Sequence, residues 1–275
     1  VLLRDIMLAM KIQNQLSSID VLKWYDTMGV DAILSTDPNR WENPSHKAIL
    51  PSETSNSKVI LQPIAAIDIF ENHLSSRTLA DDATTLEGLK EALLSFNGCE
   101  LKKTATNTVF GDGVVTSKIM LIGEAPGASE DATGIPFCGE SGKLLDNMIS
   151  TIGLSRTKNV YITNTIFWRP PANRRPTTDE VEICRPFVEK HIALIQPDLL
   201  ILVGATAVTS LLGDLEISKI RQEYYQYKNQ YLTKPITTTA LFHPAYLLRQ
   251  PFQKKATWYD LLKIQEFLGP QFYGQ

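Results

Sequence analysis

Glu124 and His243 are the residues of this chain best placed to do chemistry. Glu124 stands in Ile119-Met120-Leu121-Ile122-Gly123-Glu124-Ala125-Pro126-Gly127. His243 stands in Leu241-Phe242-His243-Pro244-Ala245-Tyr246-Leu247-Leu248. Each follows a short apolar run that stops at a turn, the pattern of a buried strand ending in a loop. Ligands of open α/β sheets bind at the carboxyl ends of the strands. A carboxylate and an imidazole gathered there form two poles of one active site. Either residue alone reads as an ordinary loop side chain; the pair after two strand ends favours the site.

Three further segments carry candidate groups. In Gly134-Ile135-Pro136-Phe137-Cys138-Gly139, Phe137 is poorly placed for a helix or strand core, and an aromatic face on a loop can stack on a base. Tyr161-Ile162-Thr163-Asn164 ends an apolar run on Asn164, whose amide offers a donor and an acceptor together. Such a pair can read a pyrimidine edge, although an Asn that forms a turn is the commoner use. A stiff basic loop follows, from Arg169 through Pro170, Pro171, Arg174 and Arg175 to Pro176. The loop at 123–127 lacks the Gly-Lys-Ser/Thr of a phosphate-binding loop and does not match Gly-x-Gly-x-x-Gly. Nucleotide hydrolysis and dinucleotide-dependent redox chemistry are thereby disfavoured.

The elements that must position these groups appear from about residue 99 as alternating strands and helices. Strands are predicted at 118–122, 159–164, 198–203 and 235–242, and helices at 139–153, 178–196, 204–213 and 254–268. This alternation predicts a three-layer α/β/α sandwich around a mostly parallel four-stranded sheet. Upstream, residues 1–34 carry apolar positions at helical spacing and form an N-terminal helical segment. Residues 35–63, rich in Ser, Pro, Asn and Thr, read as a flexible linker. Residues 64–95 form a helical lead-in, with a helix over 68–97 that Thr85 caps, and residues 96–275 form the catalytic domain.

The gross numbers agree with one such domain plus an appendage. The chain has 275 residues and is 43% hydrophobic, enough for a core. Its formal charge is −3, which argues against a generic nucleic-acid binder. Residues 1–98 hold 8 basic and 13 acidic side chains, leaving the remainder mildly basic with local arginine clusters, and phosphate binding needs only a local patch. Three cysteines make no disulfide framework and fit a reducing compartment. No apolar stretch approaches the roughly 18 residues of a membrane span, and residues 1–15 do not form the apolar core of a secretion signal.

Taken together, the segments resemble the family-4 uracil-DNA glycosylases over residues 96–268. The motifs are Gly-Glu-Ala-Pro-Gly (123–127), Gly-Ile-Pro-Phe-Cys-Gly (134–139), Tyr-Ile-Thr-Asn (161–164), Arg-Pro-Pro-Ala-Asn-Arg (169–174) and His-Pro-Ala-Tyr-Leu-Leu (243–248). The stretch Thr106 to Gly113 resembles the family's approach to the first strand. Five ordered matches are specific where one would not be.

The resemblance implies excision of uracil from DNA, single- or double-stranded, by a monomeric cytoplasmic enzyme of bacterial type without membrane association. It implies that Glu124 and His243 are catalytic, that Ala125, Phe137 and Asn164 bind uracil, and that Arg169, Arg174, Tyr246, Leu247, Leu248 and Arg249 meet DNA. Glu130 and Asp131 resemble an acidic pair with no role beyond lining the pocket. The family also holds an iron–sulfur cluster on four cysteines, and here those positions align with Phe96, Cys99, Trp168 and Cys184. Two thiolates do not hold such a cluster in the four-cysteine manner, so the expectation is no cofactor, with the two aromatics filling the volume. An inactive DNA- or partner-binding protein on the same scaffold, and an unrelated α/β enzyme of free nucleosides, remain alternatives.

Overall fold

The computed structural model describes residues 64–272, with side chains from Glu71 onward except Gln271. The expected helical segment 1–34 and linker 35–63 lie outside the described residues. Two helices open the described part, α1 (Ile64–Asp82) and α2 (Leu86–Ser95). One helix was expected over 68–97. The chain instead breaks before Thr85, whose hydroxyl caps α2 by accepting from Gly88 N at 3.0 Å. A short turn, α3 (Leu101–Thr104), leads into strand β1 (Asp112–Gly113).

The α/β core then follows in order. It comprises β2 (Ile119–Gly123), α4 (Ala128–Thr133), α5 (Glu140–Ser150), β3 (Tyr161–Asn164), α6 (Thr178–Ile195) and β4 (Leu199–Val203). It continues through α7 (Ala205–Leu212), α8 (Ile217–Ile220), β5 (Tyr225–Tyr227), β6 (Ile236–Leu241), α9 (Pro244–Arg249) and α10 (Lys254–Leu268). The sheet has six strands among the described residues, ordered β1-β3-β2-β4-β6-β5, rather than four. The central four, β3-β2-β4-β6, are parallel as expected, and β1 and β5 add antiparallel edges.

Burial on both faces explains the unbroken apolar runs. Ile119 and Leu121 of β2 pack in one core with Leu145 and Ile149 of α5 and Leu261 and Ile264 of α10. Met120 and Ile122 point the other way, into a core with Leu89 and Leu93 of α2 and Phe187, Val188 and Ile192 of α6. Side chains alternate across a strand, so a strand covered on both faces must be apolar at every position. The sheet is thus the middle of three layers. Within the second core His191 of α6 is fully buried and stacks on Phe110 at 4.3 Å between ring centroids. Burial drives its pKa down to about 3, so the ring is neutral at pH 7.

Register brings the strand ends level. Gly123 pairs with Asn164, Ile122 with Leu202, and Val203 with Leu241. The chain leaves β2 toward β3 on one side and later returns to β4 on the other. The crevice between β2 and β4 is therefore a topological switch point, open at the carboxyl edge. Among the described residues no helix is long and apolar enough to cross a membrane.

Candidate active site

Four strand ends meet at one cavity of about 700 Å³. Its wall includes Glu124 and Ala125 after β2, Asn164 at the end of β3, Gly204 and Thr206 after β4, and His243 after β6. Phe137 closes one side. All four residues expected to form the site converge there, from segments 119 residues apart in sequence. The space is wider than a single pyrimidine and suits a base with its sugar and adjoining phosphates.

Backbone geometry makes the close approach possible. Phe137 adopts a left-handed conformation, φ 51°, rare outside glycine. Its carbonyl lies against Gly142 of α5, where any side chain would collide. A Cβ on Gly123 would likewise strike the Phe137 ring and the Asn164 amide. These two glycines let an aromatic ring and an amide share the floor of the cavity. Arg156 ties the strained loop down, donating to Pro136 O and Phe137 O at 2.9 Å each and pairing with Asp146 and Asp112. Glu130 binds the two loops together: Oε2 accepts from Gly127 N, and Oε1 accepts from Cys138 N and Gly139 N. Asp131 is buried and accepts from Thr106 N and Asn107 N, which makes it an anchor of that turn rather than a pocket residue.

The polar groups of the floor have defined states. Asn164 is 1% exposed, and its Oδ1 has no hydrogen-bond partner. A buried orphan acceptor is uncommon and points to a missing donor. His243 caps α9, its Nδ1 accepting from Ala245 N at 3.1 Å. That bond fixes the neutral tautomer with the proton on Nε2. Burial lowers the His243 pKa below the usual imidazole value, against an opposing pull from Glu124. The His243 and Phe137 rings lie 5.7 Å apart. The Glu124 carbonyl accepts from Thr165 Oγ1 at 2.7 Å and Ile166 N at 3.1 Å, and its carboxylate accepts from Thr206 Oγ1 at 2.6 Å.

Comparison with known proteins agrees with this geometry. The Uracil DNA glycosylase superfamily matches residues 110–262. The chain belongs to that family. It is similar to a Type-4 uracil-DNA glycosylase of Archaeoglobus fulgidus, 37% identical over 190 residues that make up 67% of this chain and 94% of the relative. A Type-4 uracil-DNA glycosylase of Sulfurisphaera tokodaii is 38% identical over 69% of this chain and 88% of its own length. One of Thermotoga maritima is 36% identical over 66% and 94%.

The basic and apolar residues around the glycosylase-family cavity divide unevenly. Arg174 and Arg249 line it, together with Arg175. Arg174 is held by Glu180 in a two-point ion pair, at 2.9 and 2.6 Å, and Arg169 donates to Asn173 Oδ1. Tyr246 lines the wall and Leu248 is 45% exposed. Leu247, expected beside DNA with its two neighbours, is instead 0% exposed and shares an apolar cavity wall with Leu144, Met148 and Leu261. Phe252 lies beyond Arg249, is 75% exposed, and was not foreseen.

The place where the family resemblance implies a cluster does not fit one. Phe96, Cys99, Trp168 and Cys184 all lie in one core, and none is more than 2% exposed. Only two of the four are thiols. Phe96 packs on Phe187 at 5.3 Å, and Trp168 Nε1 donates to Thr108 Oγ1 at 2.9 Å. Cys99 and Cys184 are free, buried thiols whose mutual interaction lowers the pKa of Cys99 and, with burial, raises that of Cys184. Among the described residues no cluster of three His, Cys, Asp or Glu could hold a metal.

Proposed function

We propose that this protein excises uracil from DNA by hydrolysing the N-glycosidic bond, leaving an abasic site. The orphan Oδ1 of Asn164 carries this reading, because uracil N3–H is the donor it lacks. The same amide can donate to uracil O4. Cytosine presents the reverse pattern at both atoms, so a site built for uracil leaves buried polar groups unpaired with cytosine.

The nucleotide must leave the base stack to reach this floor. Phe137 stacks on the flipped base, and Ala125 lies beside it. As the bond breaks, negative charge grows on uracil O2 and positive charge on the sugar. The Nε2–H of neutral His243 donates a hydrogen bond to O2 and keeps its proton, and Glu124 holds the attacking water and faces the cationic sugar. Tyr246 and Leu248 fill the gap in the stack. Arg169, Arg174 and Arg249 hold phosphates, Arg174 after exchanging its Glu180 partner. The enzyme works as a monomer on single- or double-stranded DNA. We propose further that it carries no iron–sulfur cluster, since Phe96 and Trp168 occupy two ligand positions as packing.

Asn164→Asp tests the base-reading claim. The substitution removes the amide donor and adds an acceptor that suits cytosine N4–H. Uracil release should fall by about 100-fold or more, and release of cytosine should become measurable. Chromatography of free bases from matched oligonucleotides reads both. An unchanged uracil-to-cytosine ratio would show that Asn164 does not read the base.

A further inference from the structure

Glu124 has three rotatable side-chain bonds, and its carboxylate must be held still to position water. Its own loop supplies no side-chain partner to the carboxylate among the described hydrogen bonds. The partner comes from the neighbouring strand's exit. β2 and β4 flank the switch point, and β4 is followed directly by Gly204, whose φ of 99° turns the chain sharply into α7. A Cβ at Gly204 would sit 3.0 Å from His243 Cβ, so this turn also packs against the imidazole. The turn sets Thr206, the second residue of α7, on the cavity wall. Thr206 Oγ1 then donates to Glu124 Oε2 at 2.6 Å.

We propose that Thr206 is a positioning residue for hydrolysis: it fixes one carboxylate oxygen of Glu124 so that the other is presented to water. This role rests on the glycosylase reading above. At the second position of α7 the Thr206 hydroxyl has no helical carbonyl one turn back, because Leu202 lies in β4. Thr209, one turn on in the same helix, bonds back to Ala205 O at 3.2 Å, as helical threonines commonly do. The Thr206 hydroxyl is therefore free to donate across the cavity wall, to a carboxylate 82 residues away in sequence. The other anchors of Glu124, Thr165 Oγ1 and Ile166 N, grip its carbonyl. Backbone and carboxylate are thus held from the exits of different strands, β3 and β4. Such a hold costs nothing at the moment of reaction and matters little to DNA affinity, because Thr206 meets neither base nor phosphate in this scheme.

The test is single-turnover release of uracil from bound DNA by Thr206→Val and Thr206→Ser, each alone and combined with Glu124→Gln. Valine keeps the shape and removes the hydroxyl, and serine keeps the hydroxyl. Thr206→Val should slow release by roughly 10- to 100-fold, with DNA affinity within about threefold of the parent, because misplacing a reacting group by about 1 Å can cost that much. Thr206→Ser should recover most of the rate. In Glu124→Gln, adding Thr206→Val should cost no more than about twofold, since groups acting as a unit are not additive. Release by Thr206→Val at the parental rate overturns the proposal. So does a serine variant as slow as the valine one, or an undiminished loss in the Glu124→Gln background. A parent protein that releases no uracil would overturn the glycosylase reading and this role with it, whereas an active parent with an indifferent Thr206 would overturn only this role.

Discussion

His243→Ala should slow uracil release from bound DNA by about 100- to 1000-fold, the usual cost of losing one preorganised donor to a developing oxyanion. DNA affinity should stay within a few-fold, because this hydrogen bond strengthens only as charge builds on the leaving base. One complication is structural. His243 caps α9, which carries Tyr246, Leu248 and Arg249, and losing a cap costs about 1 kcal/mol. His243→Asn separates the two effects, since asparagine caps helices well but cannot supply the Nε2 donor. Both variants should cleave slowly, and only the alanine variant should melt measurably earlier. The pH profile carries a further sign. Burial lowers the His243 pKa, so the neutral donor persists below the usual imidazole value. Cleavage should hold as pH falls through about 6.5 and decline only below that. A rate that rises as the imidazole protonates would mean that imidazolium is the working form.

Trp168→Ala should destabilise the fold by about 3–5 kcal/mol, as expected for emptying a fully buried aromatic site. Trp168 is 1% exposed and anchors Thr108 through its indole N–H, so the loss combines a cavity with an unpaired group. By contrast, a chelator should leave the melting temperature of the parent unchanged, and purified protein should contain far less than one cluster's worth of iron. These outcomes share one cause. If aromatic packing has replaced metal–sulfur bonding, stability depends on Trp168 and Phe96 and not on iron. Anaerobically purified protein with iron and sulfide at cluster stoichiometry would contradict this.

The central strands were legible because they are buried on both faces. A run such as Leu199-Leu200-Ile201-Leu202-Val203 admits few other readings once a turn follows it. The edge strands β1 and β5 were missed because two or three partly polar residues carry no periodic signal; only their neighbours make them strands. Glu124, Asn164 and His243 could be found for the same reason as the strands they end, and Phe137 stood out as an aromatic between Pro136 and Gly139. Leu247 was misread by taking three consecutive residues as one wedge. On a helix, neighbours point about 100° apart, so one of Tyr246, Leu247 and Leu248 had to face the core. Thr206 and Arg156 act through bonds that join separate segments, and nothing local announces such a partner. For Thr206 one clue existed: it follows a predicted strand by three residues, as Glu124 does by two.

One assay addresses the whole account. A labelled oligonucleotide with a single uracil, alone and annealed, is incubated with the protein, and the released base and the abasic strand are both quantified. The account predicts free uracil in equal amount to abasic sites, with little release from strands carrying cytosine or thymine at that position. An intact strand under conditions where the protein is folded and DNA-bound would contradict it.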